Sequence, residues 1–219
     1  MAVKLAVWNN ALREIGSDKL SDTGETVERA YVLTDVWSDV VDDCLEAGQW
    51  NFATTTTERH GDTGLAYPDT GGIWGHTYGF AKPSDWVRTV RLSASPFGVP
   101  PLTDDQVRDE GAQWYSSITP LYASYVSNDT GHGLDLPSWP RSFTRFVELS
   151  LAGRIVRRLS NSEADKARID NDLKMAKRSA LTKDAQNEGI KFAPSGSWVT
   201  ARRGGRSRSD RGNTGSLIG

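Results

Sequence analysis

Cysteine is nearly missing from this sequence. Cys44 is the single one among 219 residues. One cysteine cannot build an intrachain disulfide framework or a cysteine-rich zinc site, and it makes the cytoplasm the simplest place of synthesis. No apolar run approaches the ~18 residues of a membrane-spanning helix. The start, MAVKLAVWNNALREIG, places Lys4, Trp8, Arg13 and Glu14 at helical spacing, without the apolar stretch and small-residue cleavage site of a signal peptide. Nine prolines and 21 glycines exclude collagen-like and proline-rich classes. No internal repeat recurs at a fixed period. The glycine signatures of phosphate cradles, dinucleotide folds and nucleophile elbows are all absent. Three histidines, His60, His76 and His132, stand in glycine-rich loops without metal-ligand spacing, so they read as solvated loop residues.

What is present is tryptophan and segregated charge. Eight tryptophans suit interfaces as well as cores. The net charge of −2 divides unevenly. The segment from Gly196 to the end carries five arginines and only Asp210 against them, whereas Asp22 to Glu46 holds eight acids against Arg29 alone. An acidic body with a basic tail is a two-ended molecule. Within the acidic stretch, Asp42, Asp43 and Glu46 form a carboxylate cluster on the polar side of an amphipathic helix. Such a cluster can bind a cation, but it reads first as a solvated face or an inter-subunit contact. Cys44, on the apolar stripe with no histidine to activate it, reads as a small buried hydrophobe.

Periodicity predicts four helices. Leu5, Trp8, Leu12 and Ile15 share one face, with Gly16 as C-cap. A second helix is expected to start with a cap at Asp22 or Thr23 and to end at Gly48. Its apolar stripe is Val27, Ala30, Tyr31, Trp37, Val40, Val41 and Cys44, opposite Asp35, Asp39, Asp42 and Glu46. Phe143, Phe146, Val147, Leu151, Ile155 and Leu159 line a third helix after Pro140. Ile169, Leu173, Ala176 and Ala180 line a fourth, opened by Ser162 with Asp165 and running to about Glu188. Between the pairs, NFATTTTER, IWGHTYGF, WVRTVRL, Gln113–Tyr115 and Leu121–Val126 read as strands among proline- and glycine-rich loops. The expected fold is mainly α with an embedded β domain. A helical bundle forms from N-terminal (1–48) and C-terminal (140–189) helix pairs, with a β-rich insertion (49–139) and an extended Arg-rich tail (190–219).

Two segments stay open on chemistry alone. Trp74, Tyr78 and Phe80, on a glycine-spaced hairpin, are either core of the β segment or a partner-facing knob. The tail, with Phe192, Trp198, Arg202, Arg203, Arg206, Arg208 and Arg211, can dock on an acidic protein surface, bind nucleic acid, or be plain disorder. No active site emerges.

The order of several motifs is familiar. ALREIG, a loop, a long acidic helix and then Trp50-Asn51-Phe52-Ala53 resemble the start of the tail tubular protein A family, the head-to-tail adaptors of short-tailed bacteriophages. Tyr78, Pro83, Asp85 and Arg88 are similar to its Y-x-x-P-x-D-x-x-R strand. Trp139, Pro140, Phe143, Leu151 and Ala152 are similar to its following helix, and Ala176, Ala180 and Asp184-Ala185 to its last one. The resemblance spans about residues 1–190. It departs at Gln49, where the family often has proline, and the Arg-rich end matches no motif. The resemblance implies a non-enzymatic virion protein, assembled in the host cytoplasm into a twelve-fold ring of identical copies at the head–tail junction. No cofactor or membrane anchor is implied. Portal protein lies above the ring, a nozzle or next tail protein below, and genomic DNA passes through an acidic lumen without sequence-specific contact. On that basis the tail residues named above are expected to dock on the portal, and Trp74, Tyr78 and Phe80 to meet the lower tail component. The competing expectations are a virion-associated cell-wall glycan hydrolase, for which only Glu14 and Glu148 come into question, both reading as helix surface, and a DNA-binding module using the basic tail.

Overall fold

The computed structural model describes residues 3–61, 75–160 and 162–187. The chain divides into two units, Met1–Ala185 and Gln186–Gly219. The first is described below; of the second, only Gln186 and Asn187 are described, as the end of a helix. The expected tail, 190–219, lies outside the described residues.

Two helices come first, α1 (Lys4–Glu14) and α2 (Glu28–Glu46). Six strands follow: β1 (Thr54–Arg59), β2 (Tyr78–Ala81), β3 (Trp86–Ser93), β4 (Val107–Glu110), β5 (Gln113–Ser116) and β6 (Leu121–Ser127). Two helices close the order, α3 (Arg141–Leu159) and α4 (Glu163–Asn187). The strands form two three-stranded antiparallel sheets, β1-β6-β3 and β2-β5-β4.

This corrects the expected fold class. Helical residues make up 47% of the described chain, and the protein is mixed α/β rather than a helical bundle carrying a β insertion. The reason lies in sheet β1-β6-β3, whose two faces are both used. Val126 of β6 and Val87 and Val90 of β3 join the core of the helices. Leu121, Ala123 and Tyr125 of β6 and Leu92 of β3 pack instead with Phe80 and Trp114 of the other sheet. The first sheet is therefore a shared wall, with helices on one side and the second sheet on the other. Strand β3 manages both contacts by bulging: the pairing with β6 skips at Val87 and at Val90, which turns both valines toward the helices. The bulges break the period-two alternation of an ideal strand in WVRTVRL.

Helix α3 is the centre of the helical layer. Nine of its residues are buried, from Phe143 to Val156. Helix α4 contrasts with it. It has 25 residues, yet only Ile169 and Ala180 are buried, so it adds little to the core. Its predicted start is observed: Asp165 N–H donates to Ser162 Oγ at 3.2 Å. The predicted cap of α2 is not, since that helix begins at Glu28 after Val27 with no side-chain cap. Asp22 closes a turn instead, accepting from Gly24 N–H at 3.1 Å. Tyr31, expected on the apolar stripe of α2, is exposed.

Candidate functional site

The tryptophans settle first. Trp8, Trp50, Trp114 and Trp139 are buried, and Trp37 and Trp86 are half-buried. Trp50 donates its indole N–H to Cys44 C=O at 2.9 Å and meets the ring of Phe143 edge-on at 4.8 Å. Trp139 donates to Gly133 C=O at 2.8 Å and stands edge-on to Phe143 at 5.0 Å. A Cβ on Gly133 would lie 2.2 Å from Ser127 C=O, so this corner needs glycine. Asp85, before β3, accepts from Tyr125 O–H at 3.1 Å and from Ser127 O–H. That carboxylate and burial push the Tyr125 hydroxyl up to about 12, with burial the larger cause. Arg88 donates to the last carbonyl of α2, Glu46 C=O, at 3.2 Å. Arg88 thereby ties β3 to the end of α2.

A tie of this kind also holds α4. Asn51 donates its backbone N–H to both carboxylate oxygens of Asp184 at 3.2 Å, and its side chain to Asp184 C=O at 2.9 Å. Beside it, Leu181 leans on Gly48, where a Cβ would sit 2.6 Å from its methyl group. At the other end of α4, Arg168 and Arg145 share Glu14. Arg145 Nη1 lies 2.7 Å and Arg168 Nη1 3.5 Å from its two oxygens. The hydrogen bond from Arg145 holds the Glu14 carboxyl below its usual range. Glu148, 6% exposed, accepts from Asn10 at 2.6 Å and lies 3.7 Å from Arg145. Both carboxylates are inside this cluster, not on the helix surface that the sequence suggested. Glu14 is ionised more easily than usual, the opposite of a general acid for glycan cleavage.

Between these two ties α4 bridges a groove of about 380 Å³. Its floor is apolar, from Val40, Cys44, Ala47, Phe146 and Leu173, and its rim is charged, from Asp43, Arg154, Lys166, Asp170, Lys174 and Lys177. Arg154 pairs with Asp43 at 2.6 Å, and Lys166 pairs with Asp170 along the helix. Cys44 donates to Ser150 Oγ at 3.4 Å, and burial pushes its thiol up to about 12, so it holds little reactive thiolate. Among the described residues no group of three or more His, Cys, Asp or Glu is placed to hold a metal ion.

Among the described residues the loop after β3 carries the most exposed large hydrophobic side chain. Phe97 is 84% exposed and Val99 is exposed beside it. Hydrogen bonds fix the tip: Gly98 N–H to Ser95 C=O at 2.9 Å and Arg91 Nη1 to Gly98 C=O at 3.3 Å. Its prolines predict only a loop; Phe97 next to Gly98 is the sequence signal for an exposed tip.

The hairpin aromatics fall elsewhere than a knob would need. Phe80 is 2% exposed within the second sheet's core, and Tyr78 is half-buried against it. Phe80 is therefore a packing residue with no surface to offer a partner. Trp74 lies outside the described residues, as do Phe192, Trp198, Arg202, Arg203, Arg206, Arg208 and Arg211.

No protein-family model matches the sequence, and no curated protein matches it.

Proposed function

We propose that this chain is a structural adaptor subunit of a bacteriophage virion. In this reading identical copies, twelve by analogy, form a ring at the head–tail junction. A portal protein binds one side, the next tail protein binds the other, and genomic DNA passes through the middle. The observation that carries the proposal is the ordered run of motifs over about residues 1–190. Its members tie neighbouring segments together: Trp50 to Cys44 of α2 and to the ring of Phe143, Asn51 to Asp184 of α4, Asp85 to Tyr125 of β6, and Trp139 to Gly133. Residues that fasten segments in this way preserve a scaffold, and a scaffold is what a ring subunit supplies. Segregated charge and an exposed, rigid loop at Phe97 also suit a protein that works through contacts.

The test is assembly. DNA-filled, portal-bearing heads are prepared without this protein and the purified chain is added back. Retained DNA and tail attachment only after addition are expected. Heads that seal and accept tails without it would remove the proposal. A chain truncated after Ser195 tests the tail: it is expected to fold but to add no longer to filled heads.

A further inference from the structure

The groove under α4 has a lining sorted by chemistry, apolar below and charged above. Its volume of about 380 Å³ falls in the range of small-molecule sites. Val40 comes from α2, Ala47 from its end, Phe146 from α3 and Leu173 from α4, so three helices share the apolar floor. The polar atoms on that floor are already used. Cys44 donates to Ser150 Oγ at 3.4 Å, and Ser150 donates to Phe146 C=O at 2.8 Å. A polar group set down there would lose water and gain little in return.

The rim is different. Lys166, Asp170, Lys174 and Lys177 recur at i, i+4, i+8 and i+11, so they share one flank of α4. Arg154 of α3 and Asp43 of α2 complete the rim. Both acids are matched, Asp43 to Arg154 at 2.6 Å and Asp170 to Lys166. Lys174 and Lys177 remain, and among the described residues neither forms an ion pair. Four cations against two acids leave the rim at +2. The field of this rim reaches the floor. Burial raises the Cys44 thiol, while the Ser150 hydrogen bond and the charges of Lys177 and Arg154 pull against it.

We infer that this groove binds a small organic monoanion, a carboxylate on a hydrophobic body of the size of a medium-chain fatty acid. The hydrocarbon replaces water over Val40, Ala47, Phe146 and Leu173, and the carboxylate meets Lys174 and Lys177. Two features set this class. A floor with no free donor or acceptor disfavours sugars and other polyols, and a positive rim disfavours ammonium groups. The inference goes beyond the adaptor reading, since the lining comes from one copy and needs neither ring nor portal.

Calorimetric titration of the full chain tests it with octanoate, against octanol, octylamine and acetate as controls. Octanoate is expected to bind at one site per chain. Octanol lacks the charged head and acetate lacks the body, so each should bind at least about tenfold more weakly, and octylamine not at all. A variant carrying Lys174→Ala and Lys177→Ala should lose about tenfold in octanoate affinity and keep its weak affinity for octanol. Both positions are exposed, so the fold is kept, as circular dichroism verifies. Cys44 locates the site, because it lines the groove. At pH 8 a saturating level of octanoate should slow its alkylation several-fold in the wild type. The same concentration should slow it far less in the variant, each protein being compared with itself. The inference is overturned if octanoate does not bind, binds the variant equally well, or leaves Cys44 alkylation unchanged. Octanol binding as tightly as octanoate overturns it too, by reducing the groove to a bare apolar surface. So does an acetylated Leu-Leu-Asp peptide amide that binds where octanoate does not, which would give the groove to a protein segment. None of these outcomes bears on head sealing, so the adaptor reading stands or falls separately.

Discussion

Helices α3 and α4 follow one another, with six charged residues in α3 and eleven in α4, and the protein uses them in opposite ways. Helix α3 buries nine residues, among them Phe143, Phe146, Leu151 and Ile155, and touches α1 and α2 along its length. Helix α4 is longer and buries only Ile169 and Ala180. It is held by polar ties near its ends, Glu14 to Arg168 and Asn51 to Asp184, and by Leu181 against Gly48. Apolar area sets stability, and polar ties at a surface set position at small net gain. The difference teaches that α4 is placed more than it is stabilised. Among the described residues most of its outer surface is exposed.

The comparison is broken most severely at the α3 corner. Trp50→Ala removes a ring that touches Phe143 and Phe146. It should cost about 3–5 kcal/mol, much of a typical domain's stability, read as the urea midpoint. A loss under about 1 kcal/mol would mean that this corner is not the core.

Glu14→Gln comes next, since it leaves two guanidinium groups facing a neutral amide. Loss of about 1.5–3 kcal/mol is expected. The effect depends on pH with a definite sign. The folded carboxyl titrates below the usual glutamate value of 4.5, so its contribution is complete above that value and disappears as pH falls through the folded pKa. Wild type should therefore lose stability on acidification more steeply than the variant. Parallel curves would show that Arg145 and Arg168 do not act through Glu14.

Asn51→Ala keeps the backbone N–H bonds to Asp184 and removes only the side-chain bonds, which loosens this end of α4 for about 1 kcal/mol. Cys44 reports the result, because it lies under α4, 2% exposed, with its thiol pushed up to about 12. The variant should label with a thiol reagent several-fold faster than wild type at pH 8, while its urea midpoint moves little. Equal labelling would deny that Asn51 fastens the helix. Smallest of all, Met175→Gln should change stability by less than about 0.5 kcal/mol. A larger loss would mean that the outer face of α4 is packed in the monomer.

The elements were largely legible, because a helix writes its own period. The ends of α1 and α3 fell close to expectation. Gly16 adopts the left-handed conformation foreseen for a C-cap, with φ of +70°. Strand β4 was missed, since VRDE has one apolar residue and is a strand only through its pairing with β5. The layering was missed for a related reason. Period tells which residues share a face, not which element covers it, so the two-sided use of β6 and the bulges of β3 could not be seen. Glu14 and Glu148 read as surface because charge normally is; their burial depends on Arg145 and Asn10 from distant positions. Phe80 and Tyr78 stayed open between core and knob, because a glycine-spaced hairpin does not say which side is covered; Phe80 is core, and between the two a Cβ on Gly79 would lie 2.9 Å from Gln113 Oε1.

Native-state amide exchange on the isolated full chain tests the contrast between the two helices most directly. If α4 is placed rather than stabilised, amides of residues 171–187 should exchange through a local opening several kcal/mol easier than global unfolding, while those of 146–156 exchange only with it. Both helices exchanging together at the global free energy would contradict that, and would make α4 as much a part of the core as α3.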